Sequence, residues 1–135
     1  MAYNSQSSYI ENQNQIHFHS WFCLQHPKLI NNFTSSLTGV RLPIQAAKRA
    51  KDAGVRKGWP DIQLAVPSQG YHGLFIELKS IIDGKKGAIK PEQKAVHAAL
   101  IEQGYLVRVC YSSDEAQKVV IEYLGEKKPL RRIVD

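Results

Sequence analysis

Cysteine is scarce in this chain. Only Cys23 and Cys110 occur among 135 residues, too few for the disulfide framework of a small secreted domain, and their apolar settings point to free thiols in a reducing compartment. Long apolar runs are missing too: no stretch approaches the ~18–20 residues that a membrane helix needs. The opening MAYNSQSSYIENQNQ is polar and lacks the apolar segment of a signal peptide. No glycine-rich phosphate loop of either standard spacing is present, which disfavours a nucleotide cofactor. Repeats and linkers are also lacking, so the expectation is one domain over 1–135, with residues 1–7 and 126–135 as flexible tails. The chain is expected to be soluble and cytoplasmic, with no membrane partner.

Negative charge is under-represented. Eighteen Lys and Arg against twelve Asp and Glu leave a formal charge of +6 and a sequence pI near 9.4. That excess favours a polyanionic partner, because each neutralised phosphate releases counterions. Many small proteins are mildly basic without binding nucleic acid, so charge alone decides little. The hydrophobic content of 43% suits an ordinary globular core.

The informative stretch is Gly58 to Ser80, reading GWPDIQLAVPSQGYHGLFIELKS. Asp61 opens a short apolar strand ending near Val66. The turn-forming Pro67-Ser68-Gln69-Gly70 separates it from a second strand holding Glu77-Leu78-Lys79. Alternation places Phe75, Glu77 and Lys79 on one face and Leu74, Ile76 and Leu78 on the other, toward a core. Pairing of the strands as a hairpin brings Asp61 to the Glu77/Lys79 end. Two carboxylates there suit a hard divalent cation such as Mg²⁺, which polarises a phosphoryl oxygen and activates water. A neighbouring ammonium can orient that water or offset charge developing on phosphorus. Taken singly, Pro-Asp is an ordinary turn start and Glu-x-Lys an ordinary solvated ion pair; their combination is the signal.

Pro60-Asp61, a spacer, then Glu77-Leu78-Lys79 resembles the PD-(D/E)XK nuclease superfamily. The forms Gly58-Trp59-Pro60-Asp61 and Ile76-Glu77-Leu78-Lys79 resemble its virus-type replication-repair nuclease (VRR-NUC) family, over about Glu11 to Leu124. The resemblance implies a restriction-endonuclease-like α/β fold, a mixed sheet flanked by helices. It implies Mg²⁺, with Mn²⁺ able to substitute, bound by Asp61, Glu77 and the Leu78 carbonyl. A first-helix glutamate, here Glu11, completes the acidic cluster, and Lys79 acts on the attacking water. A glutamine on the following helix, here Gln93, supports the site, although the Ser or Thr often found three residues before it is Lys90 in this chain. Small stand-alone phage and bacterial members imply a homodimer that resolves four-way DNA junctions.

The rest of the chain fits around that core. A first helix is expected from Ser8, capped by Ser7 or Ser8, to Gln25, with Glu11, Gln15, Phe18 and Phe22 on one face. A glutamate on a phenylalanine face needs a partner, since burying it alone is costly; as an N-terminal residue it would merely favour the helix dipole. His17 and His19 do not face one another, and Cys23-x-x-His26 is only half a zinc site. An extended piece over 29–34 and turns at Ser35-Ser36 and Thr38-Gly39 precede a helix over 42–53. Its inner face is expected to be Ile44, Ala46, Ala47 and Ala50. Lys48, Arg49, Lys51, Arg56 and Lys57 run into the Trp-Pro-Asp motif, and Lys85, Lys86 and Lys90 follow Lys79 on a mobile loop. These eight are candidate DNA-backbone contacts or ordinary solvated charges. A helix over 91–103 carries Gln93, Val96 and Leu100 on one face, followed by a strand over 105–110. Ser112 with Glu115 forms a capping box for a last helix with an Ala116, Val119, Val120, Tyr123 and Leu124 stripe. The tail after Gly125 adds four basic residues.

The leading function is a Mg²⁺-dependent DNA endonuclease acting on four-way junctions. A flap, branched-DNA or non-specific nuclease of the same fold remains open, as does a non-catalytic module that binds branched DNA. A regulatory protein docking an acidic partner would differ from all of these in its indifference to metal and to salt.

Overall fold

The computed structural model describes residues 2–36 and 41–125. The first helix, α1 (Ala2–Gln25), is followed by a 3₁₀ turn over Pro27–Asn32 and strand β1 (Phe33–Ser35). Helix α2 (Ile44–Asp52) leads to strands β2 (Ile62–Leu64) and β3 (Leu74–Leu78). A small hairpin, β4 (Ile81–Ile82) and β5 (Lys85–Lys86), precedes α3 (Pro91–Glu102), β6 (Leu106–Cys110) and α4 (Ser113–Tyr123). The expected turn at Thr38-Gly39 and the basic tail after Gly125 lie outside the described residues.

The main sheet runs β1-β2-β3-β6. Strands β1, β2 and β3 are antiparallel neighbours, while β3 and β6 are parallel. A parallel pair needs a crossover, and α3 supplies it. The β2–β3 hairpin forms with Ile62 opposite Ile76 and Leu64 opposite Leu74. Its tip closes on a Ser68–Tyr71 bridge, with Gln69 and Gly70 both at positive φ (51° and 88°), the backbone that a primed hairpin turn requires. Gln69 Nε2 donates to the carbonyls of Glu122 and Tyr123, pinning the tip to the end of α4.

Period-two alternation sorts β3 as its pattern demands. Leu74, Ile76 and Leu78 join Phe18 and Phe22 of α1, Ile62 and Leu64 of β2, and Ala116, Val120 and Tyr123 of α4 in one apolar core. The opposite face is covered as well: Phe75 meets Trp59 and Tyr105 edge-on at 5.4 and 5.3 Å, and α3 lies over Glu77. Both faces of β3 are therefore buried. This is the mixed, helix-flanked α/β sandwich expected.

Several local expectations need correction. Helix α1 begins at Ala2 rather than near Ser8; Ser7 does not cap it but donates from Oγ to Glu11 Oε2 (3.1 Å) and meets Ser80 Oγ (2.9 Å). The extended piece over 29–34 is mostly 3₁₀, after Pro27, and becomes a strand only at Phe33. Helix α2 buries no residue. Ile44, expected on its inner face, is 88% exposed, and Ala47 is exposed too. The supposed loop after Lys79 is a hairpin turning at Asp83-Gly84, both at positive φ. In α4, Ser112 Oγ accepts from Glu115 N–H (3.1 Å) as a cap should, but the Glu115 carboxylate reaches back to Tyr111 N–H (2.8 Å) rather than to Ser112.

Candidate metal centre

Asp61 sits immediately before β2, where antiparallel pairing sets it beside the end of β3. Its Oδ2 accepts the Leu78 N–H at 2.7 Å, fixing the carboxylate against the Glu77-Leu78-Lys79 backbone. Glu77 is 2% exposed and Lys79 6%, so this is a buried charged pair of positions rather than a solvated one. Helix α3 holds the Glu77 carboxylate from the far side. Gln93 Nε2 donates to Oε2 (3.1 Å), and His97 Nε2 lies 3.2 Å from Oε1. The Gln93 carbonyl oxygen also accepts the Lys90 N–H (2.8 Å), so one side chain closes the first turn of α3 and touches Glu77. Glu11 approaches from α1, near Ser80 and Lys79.

Gly58 sets the distance between two of these parts. Its φ is +90°, and a Cβ there would lie 2.6 Å from the Glu92 carbonyl oxygen. The Trp-Pro-Asp loop thus packs backbone to backbone on the start of α3, a contact that only glycine allows.

The electrostatics follow from burial. Burial pushes the Glu77 carboxyl up to about 9, and the nearby Asp61 charge adds to the effect while Lys79 opposes it. Asp61 is also raised, again mainly by burial, although the Leu78 N–H pulls it down. Glu11 is raised by burial, with its Ser7 hydrogen bond and Lys79 opposing. His97 is lowered by burial and by Lys79. Glu77 and His97 lie 3.2 Å apart, an acid shifted up beside a base shifted down, which favours a hydrogen bond over an ion pair. Three carboxyl groups against one ammonium leave the cluster short of positive charge.

The donor chemistry fits a hard divalent cation. Carboxylate oxygens are what Mg²⁺ takes, and their mutual repulsion is what a cation relieves. Among the described residues, no three His, Cys, Asp or Glu side chains already surround a common point. Mg²⁺ in general is held by one or two carboxylates together with water or substrate oxygens. The Cys23 side lacks such convergence: Cys23 Sγ lies 3.4 Å from His19 Nε2, and His26 packs on Trp21 and Phe22.

The structure therefore brings together Glu11, Asp61, Glu77, Leu78, Lys79 and Gln93. The basic candidates are scattered. Lys48, Arg49 and Lys51 are exposed on α2, with Lys48 paired to Asp52 (2.7 Å). Arg56 and Lys57 are exposed on the following loop, and Lys57 lies 3.9 Å from Glu92. Lys86 stands 4.7 Å over the Tyr111 ring. Beside that hairpin, a Cβ at Gly87 would lie 3.6 Å from Lys79 Cδ, which sets Lys85 and Lys86 near the cluster. Lys90 is the exposed cap of α3. His97 was not among the candidates, although its place one turn after Gln93 was readable from i,i+4 spacing.

The VRR-NUC domain family matches residues 10–114. A solved structure of a VRR_NUC domain protein is 30% identical, with a TM-score of 0.70, and the match covers 87% of this chain and 91% of that one. No curated protein sequence matches.

Proposed function

This chain belongs to the VRR-NUC domain family, a nuclease-type domain, and on that premise we propose that it is a Mg²⁺-dependent, structure-specific DNA endonuclease that resolves four-way junctions as a homodimer. The observation carrying the reading is the convergence of Asp61, Glu77, Lys79 and Glu11 at one end of β3, with Asp61 locked to the Leu78 N–H. Asp61 and Glu77 would hold Mg²⁺ or Mn²⁺, assisted by Glu11 and the Leu78 carbonyl. When bound, the cation supplies Lewis-acid polarisation of a phosphoryl oxygen and makes water more acidic.

The protein's own groups do the rest. Lys79, buried beside Glu77, orients the attacking water and offsets charge developing on the phosphate. Gln93 and His97 grip the two oxygens of Glu77 and keep its carboxylate from rotating. Water attacks phosphorus in line, one P–O ester bond breaks, and a phosphomonoester and a hydroxyl remain. Lys85, Lys86 and Lys90, together with the basic residues of α2 and its loop, contact the DNA backbone without reading bases. A single site cuts one strand, so paired cuts across a junction call for a two-fold assembly.

The test incubates a labelled four-way junction, a 5′ flap and a plain duplex with wild type and Asp61→Ala, in Mg²⁺ and in EDTA. Paired symmetric cuts on the junction that need both Mg²⁺ and Asp61 are expected. Cuts on flap or duplex alone keep the nuclease chemistry and discard junction resolution. Junction binding without any cut establishes a non-catalytic DNA-binding module instead.

A further inference from the structure

A cleft of about 470 Å³ runs between α1 and β1 and ends on Glu11 and Asp61. Its walls are Asn12, Gln15 and His19 from α1 and Phe33 and Thr34 from β1. Positions 8, 12, 15 and 19 recur every three or four residues, so α1 presents a polar stripe next to its buried Phe18/Phe22 stripe. The volume falls within the roughly 300–1,000 Å³ of small-molecule sites, enough for one nucleotide and too small for a duplex.

The lining is chemically unlike the basic surfaces described above. Among the described residues it includes no Lys or Arg, so it is ill suited to holding backbone phosphates by charge. It offers two amides and the hydroxyls of Ser8, Thr34, Ser35 and Ser36, which can hydrogen-bond base edges and sugar, together with Ile16 and the exposed aromatic ring of His19. That ring, His19, is held in place by two neighbours: Phe33, 5.4 Å away between centroids, and Cys23 Sγ at 3.4 Å from Nε2. Phe33 is in turn stacked on Phe22 at 4.8 Å, which anchors the platform to the core. A fixed, solvent-facing ring beside amide groups is the equipment for stacking an unpaired base.

We propose that this cleft is a subsite for one unstacked nucleotide of the strand being cut, with its base on His19 and its edges and sugar on Asn12, Gln15 and Thr34. The proposal rests on the nuclease reading above, and it adds a substrate requirement: a nucleotide near the scissile phosphate must be free of its partner strand. Flaps and single strands meet that requirement, continuous duplex does not, and a four-way junction meets it only where the strand unpairs at the crossover.

The test separates the two readings. Single-stranded oligonucleotides carrying 2-aminopurine, and the same sequences fully paired, are titrated with protein in EDTA, where no cleavage intervenes. Wild type should quench the single strand and leave the duplex unchanged. His19→Ala should weaken single-strand binding by about 5- to 150-fold, the range expected for one stacked base, and Gln15→Ala by a few fold. Because the contact is not ionic, the ratio of wild type to His19→Ala affinity should stay constant as salt rises, whereas that for Lys85→Ala should shrink. With Mg²⁺, His19→Ala should raise KM on flap substrates with little change in kcat. Both variants are at surface or half-buried positions, and circular dichroism checks that they fold. If His19→Ala and Gln15→Ala bind single strands and cut flaps as wild type does, the subsite is overturned and the nuclease reading stands. If no divalent metal supports cutting, the nuclease reading falls, and the quenching in EDTA decides the cleft by itself.

Discussion

The two faces of β3 are built from five residues of one strand and have opposite physical characters. Leu74, Ile76 and Leu78 face an apolar core closed by α1 and α4, where every contact lowers the free energy of the fold. On the other face, Glu77 with its neighbour Lys79 is as deeply buried, but against Gln93 and His97 of α3. Burying ionisable groups costs stability that hydrogen bonds only partly restore. The difference shows how a small domain carries a buried ionisable cluster: one face of a strand supplies the stability that the other face gives up. It also shows why neighbouring residues on one strand should respond to substitution in unlike ways.

The comparison can be broken most sharply at Lys79. Lys79→Met keeps the aliphatic stem and removes the ammonium, so single-turnover cleavage should fall by roughly 10²–10⁴-fold while DNA binding in EDTA is retained. A variant that cuts at the wild-type rate would remove the lysine from the reaction. Next in size is Ile76→Ala on the apolar face, expected to cost about 2–5 kcal/mol in urea unfolding. If Lys79→Met destabilises the chain as much as Ile76→Ala, the two faces are not the distinct environments described here.

The smallest effect is a pH signature at Glu77. Its carboxyl, ordinarily near 4.5, is held up at about 9. A raised acid binds its proton more tightly in the folded state, so the stability it contributes is full below about pH 4.5 and is lost as pH rises toward 9. Glu77→Gln removes that loss. In EDTA its melting temperature should match that of wild type near pH 4.5 and exceed it at pH 8. Adding Mg²⁺ at pH 8 should raise the melting temperature of wild type and leave that of Glu77→Gln nearly unmoved. A difference that does not vary with pH would mean that Glu77 is not held protonated by its surroundings.

Where burial follows from periodicity, the sequence was readable. Phe18 and Phe22 share a helical stripe with Glu11 and Gln15, and the β2–β3 hairpin with its Gln69-Gly70 turn places Asp61 at the end of β3 as its pattern requires. Gln93, one glutamine on an otherwise apolar helix face, declared its need for a partner. Tertiary context decided the rest. The alanines and Ile44 of α2 look like an inner face, but among the described residues Ala46 and Ala50 are only half-buried and Ile44 and Ala47 are exposed, and periodicity cannot report what lies opposite a stripe. Ser7 has the composition of a cap, yet its hydroxyl is drawn to Glu11 and Ser80, a residue 73 positions away. The hairpin over 81–86 is too short for alternation to register. The α1–β1 cleft depends on two segments meeting at a particular distance, which neither segment encodes alone.

Gln93 joins two events that would otherwise be independent. Its carbonyl oxygen ties off the start of α3 and its amide holds Glu77. Helix ends are the first parts of a fold to open as temperature rises. When the first turn of α3 frays, the carboxylate loses one of its two anchors at the same moment, while the apolar core is still intact. Heating should therefore disorder the surroundings of Glu77 before it melts the whole, and the temperature at which Glu77 loses its orientation is set by the end of a helix rather than by the core.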